Sequence, residues 1–312
     1  MTKRSSALLK TILIIILFIT ASSATVLLRG RVLVVRTYSV PGRYWTGAEQ
    51  PSDTLGHSTG LVKIVGLADL HGEMVGKNQE RIVRMVREAD PDFIVYLGDM
   101  VERTRAEESV EPLVILTEQL VQIAQVYYVN GNHEQDIESR EPEVYRRLNE
   151  ELSELGAVQL EDEIVSFTVE NGAMVNLCGI TRHYYWGDAE QVLIEALRKM
   201  DGVNILACHY PESVIWYDAF DGGGLDVALC GHTHGGLIRV PFLGGLAAPE
   251  QNRWPMYDLG AFPVYTDTTW REYGGGEGAE YLGTMIISGG LAGEHGVPRV
   301  NNPMEVSVVK VE

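Results

Sequence analysis

Short apolar runs that end in polar residues recur along the central part of this chain. The runs are residues 61–68, 92–97, 126–129, 204–208 and 226–229. Each is continuous and rich in Val, Ile or Leu, which is typical of a strand buried on both faces. Apolar residues at helical spacing fill the gaps, in residues 78–89, 112–125, 143–155 and 189–200. This alternation predicts an α/β domain with a largely parallel sheet.

Each of the five predicted strands is followed at once by polar residues. The motifs are Asp69-Leu70-His71, Gly98-Asp99, Asn130-Gly131-Asn132-His133-Glu134, His209-Tyr210-Pro211 and Gly231-His232-Thr233-His234-Gly235-Gly236. Ligands of parallel sheets bind outside the carboxyl ends of the strands, so we expect one sheet edge to collect all five motifs. Any one motif alone is compatible with a structural turn. Five motifs in the same context favour a shared site.

The side chains in these motifs form a set of oxygen and nitrogen ligands without a thiolate: Asp69, His71, Asp99, Asn132, His133, His209, His232 and His234. Such a set suits manganese, iron or zinc, and the imidazoles make calcium a poor fit. One metal needs fewer ligands, so the sequence predicts two divalent ions. Asp69 and Asp99 are both candidates for a carboxylate that bridges them. The remaining histidines, His57, His183 and His295, lack this context and are assigned no role.

The rest of the domain is predicted to form a second sheet and a long connecting segment. The predicted strands of that sheet are residues 32–35, 164–169, 284–288 and 305–311. Residues 238–283 include an irregular stretch rich in Gly, Pro and aromatic residues. A stretch of this kind is either a lid over the site or a surface excursion held by its aromatics. We assign residues 38–312 to the catalytic domain.

The N-terminal residues 1–37 predict a cytoplasmic tip, a membrane anchor and a lead-in strand. Residues 11–28 carry no charge and are just long enough to span a bilayer. A signal peptide that ends in the small residues 21–24 and a buried core helix are the alternatives. Basic residues flank the segment on both sides, so the positive-inside rule decides little. The expectation is an uncleaved single-pass anchor with an extracytoplasmic catalytic domain.

Charge and cysteine content narrow the classes of partner. The net charge is −18, from 43 acidic and 25 basic residues, which argues against a nucleic-acid partner because phosphate backbones need clustered Lys and Arg. An acidic chain is compatible with a site that holds cations. Three cysteines, Cys178, Cys208 and Cys230, cannot form a disulfide framework and are interpreted as small buried apolar residues. The sequence does not determine the oligomeric state.

The order and types of the motif residues resemble the calcineurin-like metallophosphoesterase family, and the resemblance spans residues 61–236. It implies a four-layer α/β/β/α sandwich of two mixed sheets. It also implies that Asp69, His71 and His234 hold one metal, that Asn132, His209 and His232 hold the other, and that Asp99 bridges them. His133 would face the phosphate, and would stabilise it or protonate the leaving alkoxide. Glu134 is either a partner of the second ring nitrogen of His133 or a surface carboxylate.

The function that the resemblance implies is a metal-dependent hydrolase that cleaves phosphoester or pyrophosphate bonds through a metal-bridging hydroxide. Gly235-Gly236 and the ending Arg299…Pro303-x-Glu305 are similar to a narrower group, the UDP-2,3-diacylglucosamine hydrolase-type phosphoesterases. Leu237 and Glu102 depart from that group, which usually has Gln and often Asp there. Together with the predicted anchor, this similarity suggests a membrane-associated substrate such as a lipid-linked phosphate or pyrophosphate. The alternatives are a phosphodiesterase or phosphoprotein phosphatase with a soluble substrate, and a catalytically silent metal-binding interaction module.

Overall fold

Strand pairing in this protein produces two mixed sheets that lie face to face. The computed structural model describes residues 32–42, 62–181, 184–269, 271–293 and 297–312. Sheet 1 has the spatial order β1 (Leu33–Val40), β16 (Met304–Val311), β2 (Val62–Leu67), β3 (Phe93–Leu97), β4 (Gln125–Val129) and β5 (Val158–Gln159). β2 to β5 are parallel, whereas β16 runs antiparallel to β2 and parallel to β1.

Sheet 2 supplies the other half of the fold. Its order is β14 (Gly260–Tyr265), β15 (Tyr281–Ile287), β9 (Val227–Cys230), β8 (Val203–Cys208), β7 (Met174–Ile180) and β6 (Glu163–Thr168). The inner strands β15, β9, β8 and β7 are parallel, and the outer strands β14 and β6 are antiparallel to their neighbours. Two short hairpins precede β14: β10 (Arg239–Val240) with β11 (Gly244–Gly245), and β12 (Ala247–Ala248) with β13 (Asn252–Arg253).

Helices cover the outer face of each sheet. The helices in the described residues are α1 (Glu80–Ala89), α2 (Ala106–Leu120), α3 (Asn132–Arg140), α4 (Pro142–Glu154), α5 (Asp188–Arg198) and α6 (Pro211–Trp216), with 3-10 turns at Lys77–Gln79, Arg103–Arg105 and His234–Gly236. α1 to α4 pack on sheet 1, in one apolar cluster with the strand residues Val65 and Ile94. α5 and α6 pack on sheet 2 with Leu206 and Ala228.

Alternate side chains of the same strands fill the space between the sheets. Ile64 and Val95 of sheet 1 share a buried cluster with Ile205 and Leu229 of sheet 2. A strand residue points to the face opposite that of its neighbour, so a continuous apolar run supplies both faces. The prediction of an α/β fold with mixed sheets is therefore confirmed, and the layers follow the order helices, sheet, sheet, helices.

Two details of the predicted sheets are wrong. The five motif strands do not share one sheet, because β2, β3 and β4 lie in sheet 1 while β8 and β9 lie in sheet 2. Nor do all four remaining strands join the second sheet. β6 and β15 lie in sheet 2, but β16 pairs with β2 and with β1, which forms the edge of sheet 1.

The predicted domain boundary between residues 37 and 38 falls inside β1.

We correct the prediction of a single-pass membrane anchor. No helix in the part of the chain that the structure describes is long and apolar enough to cross a bilayer. The predicted span, residues 11–28, lies outside the described residues. We therefore retain neither the N-terminal transmembrane helix nor the membrane location and extracytoplasmic catalytic domain that depended on it.

Candidate metal centre

The turns that follow the motif strands hold their polar residues in left-handed backbone conformations. The φ angles are 55° at Asp69, 52° at Asp99, 71° at His232 and 49° at His234. Residues other than glycine adopt this region infrequently, and each sparsely populated conformation costs on the order of 1–3 kcal/mol. Such strain clusters at functional sites, where the surrounding structure holds it in place.

Two glycines allow the turns to approach each other closely. A Cβ atom on Gly98, which has φ 88°, would lie 2.6 Å from both the backbone nitrogen of Gly131 and Nδ1 of His209. A Cβ atom on Gly131 would overlap the carboxylate of Asp99. Glycine is therefore needed at these two positions, because the turns after β3 and β4 pack directly against each other and against His209 of sheet 2.

The carboxyl ends of β2 and β9 bring Asp69, His71 and His234 together. Nε2 of His71 lies 3.3 Å from Nε2 of His234, which lies 3.7 Å from Oδ1 of Asp69. All three side chains are buried. Their ligand atoms converge on one point from two sheets and from residues that are 163 positions apart in the chain.

A second cluster is formed by Asp99, His209 and His232, also buried. Nε2 of His209 lies 3.2 Å from Oδ2 of Asp99 and 3.2 Å from Nδ1 of His232. The backbone N–H of His232 donates to Oδ1 of Asp69 over 3.1 Å, so the two clusters are adjacent. Asn132 begins helix α3 beside them, and among the described residues its Oδ1 atom is buried without a hydrogen-bond partner.

The outward nitrogens of three of these histidines face oxygen acceptors. Nδ1 of His71 lies 3.2 Å from Oε2 of Glu102, and Nδ1 of His209 lies 2.7 Å from the carbonyl oxygen of Leu97. Nδ1 of His234 lies 3.3 Å from the carbonyl oxygen of Ala292. Metal-binding histidines usually donate their second N–H in this way, which leaves the inward nitrogen free to bind a cation.

The electrostatics of the two clusters also fit a pair of cations. Burial raises the pKa of Asp69 to about 6, and the neighbouring Asp99 carboxylate acts in the same direction. Burial, His71 and Arg299 lower the pKa of His234 well below its ordinary value. Oδ2 of Asp69 is buried without a hydrogen-bond partner in the described part of the chain. Divalent cations would satisfy these carboxylate oxygens and the neutral imidazole of His234 at once, so the residues present fit a two-metal site.

His133 lies beside the two clusters, but the groups around its ring nitrogens differ from those around the cluster histidines. Its Nδ1 atom accepts the backbone N–H of Arg103 over 3.2 Å and lies 3.4 Å from Oε1 of Glu102. The Arg103 contact places the ring proton of the neutral imidazole on Nε2, which lies 3.9 Å from Oδ2 of Asp99. His133 can therefore present an N–H donor toward a group bound at the clusters.

Glu102 is a site residue to which the sequence reasoning gave no role. Its carboxylate lies within 3.4 Å of ring nitrogens of both His71 and His133. Burial alone would raise the pKa of Glu102, but the neighbouring His133 and His71 rings lower that pKa well below the ordinary range. The available signal was its position three residues after Asp99. A single sequence does not show that this carboxylate turns back toward two histidines.

Glu134 has a role that neither sequence interpretation anticipated. Glu134 is only 5% exposed, so it is not a surface group. The groups that face Nδ1 of His133 are the Arg103 N–H and the Glu102 carboxylate, not Glu134. The carboxylate accepts four backbone N–H groups, from Asp99 (2.9 Å), Met100 (2.7 Å), Val101 (3.1 Å) and Gly131 (2.8 Å). The bond to Gly131 caps the start of α3. Glu134 therefore fixes the loop that carries Asp99.

Replacing Glu134 with Gln is expected to lower the free energy of unfolding by about 2–4 kcal/mol, because an amide nitrogen would face backbone donors and leave some unsatisfied. Urea denaturation followed by circular dichroism measures the change. Glu138→Gln, at an exposed position of the same helix, is the matched control. Equal stabilities of the two variants would contradict a structural role for the Glu134 carboxylate.

The C-terminal residues support the turn that carries His234, which the sequence did not indicate. The buried guanidinium of Arg299 donates to carbonyl oxygens of Gly289 (2.5 Å), Ala292 (2.8 Å) and Asn302 (3.0 Å). The Asn302 side chain donates to the carbonyl oxygen of His234 over 2.7 Å. Ala292 is the residue that accepts from the His234 ring. These contacts place Arg299 and Asn302, near the C-terminal end of the chain, directly behind the turn that carries His234.

Comparison with known proteins agrees with this geometry. The family profile described as "Calcineurin-like phosphoesterase" matches residues 62–236. "Uncharacterized metallophosphoesterase Cj0846" of Campylobacter jejuni is 26% identical over 209 residues, which cover 64% of this chain and 50% of that protein. "Uncharacterized protein YpbG" of Bacillus subtilis is 29% identical over 184 residues, which cover 57% of this chain and 63% of that protein. The matched region thus spans less than two thirds of either relative.

Among solved structures, the purple acid phosphatase PPD1 from yellow lupin (Lupinus luteus) seeds aligns with a TM-score of 0.39 and 12% identity. The alignment covers 73% of this chain and 44% of the lupin chain.

Proposed function

The chain belongs to the calcineurin-like phosphoesterase family, a family of metal-dependent phosphoesterases, and on this premise we propose that it hydrolyses phosphoester or pyrophosphate bonds with two divalent metal ions. The observation that carries the proposal is the convergence of buried carboxylates and imidazoles from two sheets, with ring nitrogens of His71 and His234 only 3.3 Å apart. Lone pairs at this separation favour a shared cation. The ions we expect are manganese, iron or zinc.

We assign the ligands by the cluster to which each belongs. Asp69, His71 and His234 would hold one metal, and Asn132, His209 and His232 would hold the other. Asp99 would contact both, because its carboxylate lies beside His209 and its loop adjoins the first cluster. When bound, the metals supply an activated water and positive charge for the phosphoryl oxygens. The protein holds these ligands in place through Glu102, Glu134, Arg299 and the carbonyl oxygens behind the histidines.

His133 is assigned a direct role toward the substrate rather than a place in the ligand set. Its Nε2–H would donate a hydrogen bond to a phosphoryl oxygen or to the leaving oxygen. To protonate the leaving oxygen the ring would have to be an imidazolium whose Nδ1 proton faces Glu102, so that a neutral ring remains, and proton transfer of this kind contributes about 10²–10⁴-fold to a rate. The Arg103 N–H donates to Nδ1 on the opposite side of the ring, where Glu102 Oε1 lies 3.4 Å away. The site therefore has a group that can move a proton at a defined atom.

The substrate class is the finer part of the proposal. A phosphorylated small molecule is the general expectation, and a lipid-linked phosphate or pyrophosphate now rests only on the narrower similarity in Gly235-Gly236 and the C-terminal motif. A panel of a phosphate monoester, a phosphodiester, a soluble nucleoside diphosphate sugar and UDP-2,3-diacylglucosamine in detergent would separate these classes. Preferential release of UMP from the last compound would favour the lipid pyrophosphate.

The first experiment measures metal content and turnover together on the full chain. We expect about two equivalents of manganese per chain and manganese-dependent hydrolysis of bis-p-nitrophenyl phosphate. Removal of the metal with EDTA should lower the melting temperature, because a ligand at 100 times its Kd stabilises the folded state by about 2.7 kcal/mol. Readdition of manganese to the stripped protein should restore both the melting temperature and the turnover.

The possible outcomes separate the candidate functions. Two bound metals with turnover would support the phosphoesterase. Two bound metals without turnover of any compound in the panel would favour the silent metal-binding module. A chain that binds no divalent metal under these conditions would overturn the proposal.

A further inference from the structure

The outward nitrogen of His232 faces a different kind of group from those behind the other histidines. Nε2 of His232 lies 2.7 Å from the hydroxyl of Tyr184, whereas its Nδ1 atom points toward His209. The corresponding partners of His71, His209 and His234 are a carboxylate and two carbonyl oxygens. Those three are acceptors only, so each fixes the hydrogen on the outward nitrogen.

A tyrosine hydroxyl can either donate or accept, so by itself it does not fix the ring proton of His232. If the hydroxyl donated to Nε2, the hydrogen of the neutral ring would lie on Nδ1, and Nδ1 could not bind a cation. If the hydroxyl accepts from Nε2–H, Nδ1 carries a lone pair directed into the cluster. A third group that takes the hydroxyl hydrogen would select the second arrangement.

Glu250 is that third group. Burial raises the pKa of the Tyr184 hydroxyl, and the Glu250 carboxylate raises that pKa further through its charge and a hydrogen bond in which a carboxylate can only accept. We propose that Glu250 and Tyr184 are positioning residues for His232: Glu250 accepts the hydroxyl hydrogen of Tyr184, whose oxygen accepts Nε2–H of His232, which leaves Nδ1 as the metal ligand. The inference rests on the proposed two-metal function and adds the residues that set one ligand of the second metal.

Tyr184 and the residue that follows Glu250 are held by contacts independent of any metal. The hydroxyl of Ser213 donates to the carbonyl oxygen of Tyr184 over 2.9 Å, and the Tyr184 ring packs at 4.1 Å from the ring of Tyr210. Beside Glu250, the amide of Gln251 donates to Oε1 of the buried Glu212 over 2.7 Å. The irregular segment predicted as a lid thus carries a group that acts on the metal centre, while its motion as a lid remains a prediction.

Tyr184→Phe tests the inference, because it removes the acceptor oxygen and keeps the ring. The metal-stripped full-length variant is titrated with manganese in a calorimeter. We expect one binding event with the wild-type affinity and a second whose affinity is weaker by about 10–100-fold. Loss of a hydrogen-bond partner of a metal-bound histidine typically weakens metal binding by this factor. His232→Ala, which removes the ligand itself, identifies the binding event that should weaken. Tyr185→Phe is the matched control, because Tyr185 is the next residue and is 76% exposed.

Glu250→Ala provides a second test at an exposed position, where a folding defect is not expected. It should weaken the same binding event, and the double variant Tyr184→Phe/Glu250→Ala should bind no more weakly than Tyr184→Phe alone. Additive losses would show that Glu250 does not act through Tyr184 and would overturn the relay. Wild-type affinities at both sites in Tyr184→Phe would overturn the inference while leaving the phosphoesterase intact. A wild-type chain that binds fewer than two metals would instead remove the proposed function on which it rests.

Discussion

Asp99→Asn is expected to lower kcat/KM for a phosphate ester by at least about 10³-fold, which corresponds to about 4 kcal/mol of transition-state stabilisation. The Asp99 carboxylate stands at the junction of the two clusters. Its Oδ2 atom lies 3.2 Å from Nε2 of His209, and its Oδ1 atom accepts the backbone N–H of His133 over 2.8 Å. An amide has no negative charge to offset the repulsion between two cations, and its NH₂ group would oppose either a metal or the His133 N–H.

Metal content and turnover measured on the same preparation check this expectation. The variant should retain at most about one manganese per chain, and circular dichroism should show an unchanged fold. Asp90→Asn is the matched control, because the Asp90 side chain is 96% exposed and lies at the end of α1. If Asp99→Asn kept two metals and more than a tenth of the rate, Asp69 would become the candidate for the bridging carboxylate.

His133→Ala is expected to keep both metals and to lose about two orders of magnitude or more in kcat. The imidazole is not part of either convergent cluster around Asp69 and His209. Its Nε2 atom points toward the same space, while its Nδ1 atom accepts the Arg103 N–H. Removal of the ring therefore takes away a donor to the substrate without removing a metal ligand. Retained metal distinguishes this variant from Asp99→Asn.

The dependence on the leaving group separates the two roles proposed for His133. If Nε2–H protonates the leaving oxygen, the loss in His133→Ala should be larger for an alkyl phosphate ester than for a p-nitrophenyl ester, whose phenolate leaves without a proton. If the ring only stabilises phosphoryl charge, both esters should lose rate equally. His57→Ala is the control substitution, because His57 lies in none of the motifs. A variant with the wild-type rate for both esters would exclude His133 from the reaction.

Local pattern was sufficient for much of the central region. Predicted strands at residues 92–97 and 204–208 correspond to β3 (Phe93–Leu97) and β8 (Val203–Cys208). A strand buried on both faces must be a short apolar run, so its position can be read directly from the sequence. Helix limits were less accurate. The helix predicted at residues 112–125 is α2 (Ala106–Leu120), because Pro112 lies inside the helix rather than at its start.

The sequence by itself determined which residues could bind metal and that they follow buried strands, because both properties depend on residue type and on neighbours in the chain. Tertiary structure decided that these strands divide between two sheets, since pairing such as β16 with β2 joins residues more than two hundred positions apart. It also decided which group contacts the outward nitrogen of each histidine ligand. Tyr184 reaches His232 across 48 positions, and Glu102 contacts His71 although helix α1 and strand β3 lie between them in the chain. No local pattern encodes such contacts, because hydrogen bonding at the outward nitrogen depends on the positions of whole elements and not on the spacing of residues along the chain.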